Sequence, residues 1–391
     1  MSCFQTLKTR GFVHQWTEHK DFPHRLDRDS VVFYAGFDAT ADSFHIGNLV
    51  ILMMVRWLVS FGHRPIIIIG GGTTQVGDPS GRTEMRPFFS DTQQLNHNIQ
   101  SLEGFIRRFL PKSTTIHFVN NQDWLESLTC LSFLRDVGRH FSVNRMVSLD
   151  TVRQRLDAQA PLSFLELSYI LLQSYDYWHL YKNYDCTLQI GGADQWANIL
   201  GGVDLVRRRE SQTVDGITCP LITTNSGQKM GKTHQGALWL EAHKLSPYAY
   251  WQFWRNVDDQ DVGRFLRLYT LLSENEIHEL ESLQGEEINA AKIRLAQEAT
   301  FLIHGLRDPE DGHATWTVSA QETVSVVQAL QALKFTTSLS QGRRLIQQGG
   351  VWLDSHQVTD PWMMLPSTAD SCTLKVGKTK KGQVIFFQSS V

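Results

Sequence analysis

Two short runs in this chain of 391 residues carry side chains suited to handling phosphate. The first is His45-Ile46-Gly47-Asn48, with Thr40 just ahead of it, set between a β-branched and aromatic stretch and a long apolar run. At a helix start the free N–H groups and the helix dipole attract phosphate, and a glycine lets a nucleotide approach the backbone. Thr40 and His45 there would aim neutral donors at phosphate oxygens, stabilising charge as it grows without any proton transfer. The second run is Lys229-Met230-Gly231-Lys232-Thr233, two lysines three apart in a polar loop, able to reach phosphates and to withdraw after product forms. Either run alone reads better as structure, an N-cap histidine or a solvated turn. Both in this order, with a Gly-rich loop between them, point to nucleotide chemistry.

A third set is polar without being basic. Tyr169, Gln173 and Asp176 fall at i, i+4 and i+7 and share one helical face, while Ile170, Leu171 and Leu172 between them are apolar. Such a stripe faces either a pocket or solvent. Tyr34, in a strand, and Asp78, in a loop, are the residues that would make it a pocket.

These side chains need a frame. Val31 to Phe37 reads as a strand, followed by a polar break and the buried helix that starts at His45. Pro65 opens IIIIGGGTTQVGDPSG, the pattern of a parallel strand covered on both faces as it enters a binding loop. Leu95, Ile99, Leu102, Ile106 and Phe109 at spacings of three and four predict a helix, and IHFVNN another strand. From Trp124 to Arg209 the pattern is helical, broken by a strand at Thr187 to Ile190 that runs into GGADQW. Alternating elements predict an α/β fold with a Rossmann-like, doubly wound parallel sheet. Residues 246–306 read as a helical subdomain and 307–322, rich in Pro, Gly and acids, as a linker. The expected division is a catalytic domain at 1–225, a loop with helical subdomain and linker at 226–322, and a small α+β domain at 323–391.

Composition excludes much. Charged residues make up 20% and the AVILMFWYC set 41%, as in globular protein and unlike disordered or fibrous chains. Five cysteines without a C-x-x-C pair support neither a disulfide framework nor a zinc site. The start of the chain lacks the apolar region of a signal peptide and no stretch is greasy enough for a membrane span, so a cytoplasmic protein with no membrane partner is expected. The net charge of −3 offers no global case for nucleic acid. Residues 323–391, however, hold seven Lys or Arg against three Asp, a local +4 that leaves −7 on the remainder. A basic RNA-binding module on an acidic catalytic body would divide charge in this way.

Taken in order, the motifs resemble those of the bacterial-type tyrosyl-tRNA synthetases, class I aminoacyl-tRNA synthetases, over nearly the whole length. YAGFDATADSFHIGN resembles the family's HIGH region, GDPSGRTEMR its second loop, and FLRDVGRHFSVNRM its subunit-contact segment. SYILLQSYD is similar to its amino-acid helix, IGGADQWANI to its ribose loop, KMGKT to its KMSKS loop, and TTSLSQGRRLIQQGGVWLDSHQVTD to an S4 RNA-binding domain. The resemblance implies that Tyr34 and Asp176 hydrogen-bond the phenolic OH of L-tyrosine, that Asp78, Tyr169 and Gln173 hold its ammonium, and that Gln195 lies near its carboxylate. It implies Gly36, Asp38, Gly192 and Asp194 around adenine and ribose, Thr40 and His45 on the γ-phosphate, and Lys229 and Lys232 on the leaving pyrophosphate, with Arg82 and Arg86 adding positive charge. ATP with Mg²⁺ is then a substrate, and neither a tightly bound cofactor nor a protein metal cage is expected. Because tyrosine's carboxylate is itself the nucleophile, no general base is assigned.

Three residues depart from the family pattern. Asn48 stands where HIGH ends in His and keeps a donor that can reach ribose, Gly231 replaces the Ser of KMSKS, and Ala35 offers no polar ribose contact. In the C-terminal part Arg343 and Arg344 are the candidates for tRNA contact, with Phe335 or Trp352 offering a face to a base. A homodimer follows from the resemblance. The competing readings are a tryptophanyl-tRNA synthetase of the same architecture, against which Tyr34 and Asp176 argue, and a non-catalytic RNA-binding protein, against which the paired lysines, Thr40, His45 and Asp78 argue.

Overall fold

The computed structural model describes residues 2–78, 91–223, 230, 232–233, 236–309, 314–319, 323–354, 356–365, 371–377 and 380–387. Six strands form the main sheet: β1 (Gln15–Trp16), β2 (Val32–Asp38), β3 (Arg64–Gly70), β4 (His117–Asn120), β5 (Leu188–Gly192) and β6 (Asp215–Cys219). Their order is β1-β6-β5-β2-β3-β4, all parallel except the short edge strand β1. The doubly wound parallel sheet read from the sequence is therefore the observed fold.

Period-two alternation divides each central strand between two cores. Phe33, Ala35 and Phe37 of β2, with Ile67 and Ile69 of β3, pack against the helices Ile46–Ser60 and Thr92–Phe109. Val32 and Tyr34, with Ile66 and Ile68, face the opposite way, where Tyr177, Leu180, Ile199 and Val203 of the helices Phe164–Tyr184 and Trp196–Glu210 cover them. Both faces are buried, which is why the four isoleucines run without interruption. The chain builds β2, β3 and β4 outward on one side, then returns to place β5 and β6 on the other. That reversal opens a crevice beyond the carboxyl ends of β2 and β5, the position where such sheets bind ligands.

After β6, a two-stranded hairpin of β7 (Lys232–Thr233) and β8 (Gly236–Ala237) leads into the helices Pro247–Arg255, Val262–Tyr269, Glu274–Glu281 and Ile288–His304. Their core joins that of the His45 helix through Tyr250, Trp254, Phe265 and Leu295. The C-terminal unit has a separate core around Val327, Leu330, Ile346, Leu374 and Val384. Its sheet contains β9 (Ala314–Ser319), β10 (Val351–Leu353), β11 (His356–Gln357), β12 (Ser371–Val376) and β13 (Lys380–Phe387) in the order β11-β10-β12-β13-β9. Two helices, Val326–Ala332 and Leu339–Gln347, pack so closely that a Cβ on Gly342 would lie 2.8 Å from Val327 Cγ1.

One boundary differs from the sequence reading. Residues 314–319 fall inside the expected linker, yet they pair in parallel with β13, Trp316 opposite Val384. The alternation Trp316, Val318 supplies an inward face, with Val318 buried, and the surrounding Pro, Gly and acids hid it. Among the described residues no helix is long and apolar enough to cross a membrane.

Candidate active site

Tyr34 lies in the middle of β2 with 1% of its surface exposed, and its hydroxyl is buried without a hydrogen-bond partner. Its ring meets that of Tyr177 edge-on, with 5.2 Å between centroids. Burial, and then the charge of Asp176, push its pKa well above the usual phenol value. Asp176 projects from the Phe164–Tyr184 helix, which begins with a capping box of Ser163 and Glu166. Its Oδ1 accepts from Trp124 Nε1 at 2.8 Å and its Oδ2 from Asn121 Nδ2 at 2.9 Å. Burial dominates nonetheless: with loss of solvent raising it most, the two donors lowering it and the charge of Asp38 raising it again, the carboxyl is pushed up to about 7.

Asn121 is itself fixed. Its Oδ1 accepts from the backbone N–H of Gly72 at 3.0 Å, and its Nδ2 also donates to Thr73 Oγ1 at 3.0 Å. Asn121 and Trp124 are functional residues that sequence reasoning missed. The available signal was their place directly after β4, at the carboxyl end of a parallel strand.

A second polar row lies on the β5 side. Gln195 donates to Asp78 Oδ2 at 2.6 Å, and Asn198 donates to both Gln195 Oε1 at 3.2 Å and Gln173 Oε1 at 3.0 Å. Asn198, another residue the motifs did not single out, ties the ribose-loop segment to the amino-acid helix. Tyr169 donates to Asp38 Oδ1 at 3.3 Å, and Thr73 donates to the same oxygen at 3.1 Å. Residues 169, 173 and 176 thus form a stripe turned into the crevice, where each bonds to a different neighbouring segment. Asp38, grouped with the nucleotide by resemblance, is joined here to Tyr169. Gly192 ends β5 and Asp194 follows in a 3-10 turn, while Gly36 of β2 is exposed.

His45 caps the helix Ile46–Ser60. Its Nδ1 accepts from the N–H of Gly47 at 3.0 Å, and its own N–H donates to Asn48 Oδ1 at 3.1 Å. An Nδ1 that accepts must hold a lone pair, so the neutral imidazole carries its hydrogen on Nε2. Asn48 therefore uses its carbonyl oxygen to close the cap rather than to meet a ligand, and only its amide N–H₂ remains for ribose. Thr40 is exposed in the preceding loop. Leu238 and Leu240 pair with the segment at His45: Ile46 N–H donates to Leu238 O and Leu240 N–H to Phe44 O, both at 2.9 Å. Asp42 holds the same segment through Lys244 at 2.6 Å and His243 at 3.0 Å. The stretch just after Lys232 is thereby fastened to the start of the histidine helix. Lys229, Arg82 and Arg86 lie outside the described residues, and of Lys232 only the backbone, paired with Ala237, is described. In the C-terminal unit Arg344 is exposed and Arg343 half-buried on one helix; Phe335 packs on the core and Trp352 is half-buried in β10.

A crevice at the turning point of a parallel sheet, with a polar pocket at one end and a capped helix start at the other, suits joining a small molecule to a nucleotide. Residues 26–309 match the profile of tRNA synthetases class I (W and Y), and the chain belongs to that family. Within it the chain stands with the bacterial-type tyrosine–tRNA ligases. It is 44% identical to the tyrosine–tRNA ligase of Paracoccus denitrificans, covering 96% of both chains, and 45% identical to that of Pseudomonas aeruginosa, covering 95% of this chain and 94% of that one. Among solved structures, a C-terminally truncated mitochondrial tyrosyl-tRNA synthetase from Aspergillus nidulans superposes with a TM-score of 0.68 at 30% identity, covering 78% of this chain and 90% of that one.

Proposed function

We propose that this chain is a tyrosine–tRNA ligase: it activates L-tyrosine with ATP to tyrosyl-adenylate, releasing pyrophosphate, and then transfers the tyrosyl group to the 3′ end of tRNA(Tyr). The observation that carries the reading is the partnerless hydroxyl of Tyr34 in the same pocket as the buried carboxylate of Asp176. A phenol both donates and accepts, so one para-oxygen serves the two groups at once: it donates to Asp176 and accepts from Tyr34. Indole N–H only donates, and phenylalanine does neither, leaving a buried acid and hydroxyl unsatisfied.

At the other end of the tyrosine, Asp78 takes the ammonium, with Tyr169 and Gln173 as neighbours, and Gln195 orients the carboxylate. Asp38, Gly36, Gly192, Asp194 and the amide of Asn48 surround the nucleoside. The tyrosine carboxylate attacks the α-phosphorus, and the bond to pyrophosphate breaks. His45 Nε2–H, the Thr40 hydroxyl and the lysines 229 and 232, supplemented by Arg82 and Arg86, stabilise the charge that moves onto the leaving oxygens. Mg²⁺ enters as part of the ATP substrate. No side chain has to remove a proton, so catalysis consists of positioning and phosphate electrostatics.

The C-terminal unit, from β9 onward, binds tRNA through Arg343 and Arg344. Two copies of the chain pair through the 130–165 region, where Leu131, Leu134, Val143, Phe164 and Leu165 are exposed. Five cysteines without a disulfide accord with work in the reducing cytoplasm. The test is ATP–pyrophosphate exchange with tyrosine, tryptophan and phenylalanine side by side. Exchange with tyrosine far above the other two is expected, and a preference for tryptophan overturns the assignment.

A further inference from the structure

Next to the helix that bears Arg343 and Arg344, the C-terminal unit carries an aromatic side chain that the tRNA-binding reading has not used. Trp362 is 66% exposed, and its neighbours Met363 and Met364 are also exposed. The turn that carries them is fixed at both ends. Trp362 N–H donates to Asp360 Oδ1 at 2.9 Å, Met363 O accepts from Val326 N–H at 3.0 Å, and Leu365 N–H donates to Val324 O at 2.8 Å. The indole is thus held out on a rigid backbone, which lowers the ordering penalty of binding.

Arg343 covers the ring. Its guanidinium carbon lies 4.2 Å from the Trp362 centroid, a cation–π distance. Its Nε is buried without a hydrogen-bond partner. The guanidinium lies over the ring, which leaves its outer nitrogens for an anion. An aromatic face beside an arginine, in a stretch of net +4, matches one ligand chemistry: an unpaired nucleotide, its base stacked on the indole and its phosphate met by arginine.

We infer that Trp362 and Arg343 form a stacking site for an unpaired nucleotide of the tRNA. Phe335 and Trp352, the aromatic residues singled out by sequence, are less suited to that role because both are partly buried in the unit. The inference rests on the reading of the chain as a tRNA-charging enzyme, and the experiment separates the two. In the full-length protein, Trp362→Ala should raise KM for tRNA roughly tenfold, since stacking of a base is worth about 1–3 kcal/mol, while tyrosine-dependent ATP–pyrophosphate exchange stays at the wild-type rate. Trp362→Phe should restore most of the tRNA affinity, and the quenching of tryptophan fluorescence by added tRNA should be smaller in Trp362→Phe than in the wild type. An unchanged tRNA KM in Trp362→Ala, or a changed oligomeric state with an unchanged tRNA KM, overturns the stacking site. Failure of the wild type to charge any tRNA with tyrosine overturns the functional reading instead.

Discussion

A buried carboxyl raised to about 7 is a functional statement as much as a structural one. In the free protein Asp176 holds its proton more tightly than it would unfolded, so folding stability falls as pH rises from the ordinary carboxylate range to about 7, and then levels off. In the proposed role, the ionised form is the one that accepts from the substrate phenol. The kcat/KM for tyrosine in pyrophosphate exchange should therefore rise with pH through a limb near 7, and the limb should vanish in Asp176→Asn; a flat wild-type profile between pH 6 and 8.5 contradicts this. Tyr34→Phe removes one neutral hydrogen bond, and the KM for tyrosine should rise about threefold to tenfold while rejection of phenylalanine weakens. How much of this pocket was legible follows from distance along the chain. Tyr169, Gln173 and Asp176 show as a period on one helix. Asn121 and Trp124, which hold Asp176, lie 55 and 52 residues away from it, and no local spacing reveals a contact between a strand end and a helix so far apart.

Between segments, the decisive feature is how the stretch after Lys232 is fastened to the start of the histidine helix. The backbone pairing of Leu238 and Leu240 with the His45 segment is reinforced by Asp42, which binds Lys244 and His243. Half-exposed ion pairs are each worth at most about 1 kcal/mol. Asp42→Asn should accordingly slow adenylate formation about twofold to fivefold and leave the KM for tyrosine unchanged, as measured by single-turnover kinetics; a change confined to tyrosine KM would contradict the assignment. The histidine helix was legible because His45 sits at the switch from polar to apolar residues, but the use of Asn48 within the cap was not. Resemblance placed Asn48 on ribose, whereas a side chain three residues into a helix also lies within reach of the capping residue's own N–H. β9 escaped sequence reading because Trp316 and Val318, which meet the core, make too short an alternation to stand out from flanks that look like linker.

Taken whole, the molecule is an acidic catalytic body with a basic appendage, and its exposed apolar residues concentrate in one region of that body. Phe164 is 76% exposed and Leu131 79%. Phe164→Asp should shift the protein from dimer to monomer in sedimentation velocity at micromolar concentration; a wild-type protein that already sediments as a monomer contradicts the pairing surface. The fold class was readable because alternating strand and helix patterns are local. The order in which strands lie side by side is not, and it has a consequence for the appendage. β13 is wedged between β12 and β9, so it supplies backbone partners to two strands at once. A premature stop codon only a dozen residues early would strip both neighbours and disable RNA capture as thoroughly as loss of the entire appendage, while amino-acid activation survived. On the ribosome, likewise, the appendage cannot close until residue 387 has left the exit tunnel, long after the catalytic body has been free to fold. Comparing tRNA charging by a chain ending at residue 379 with one ending at residue 309 checks this: both should fail to charge tRNA, and both should retain pyrophosphate exchange.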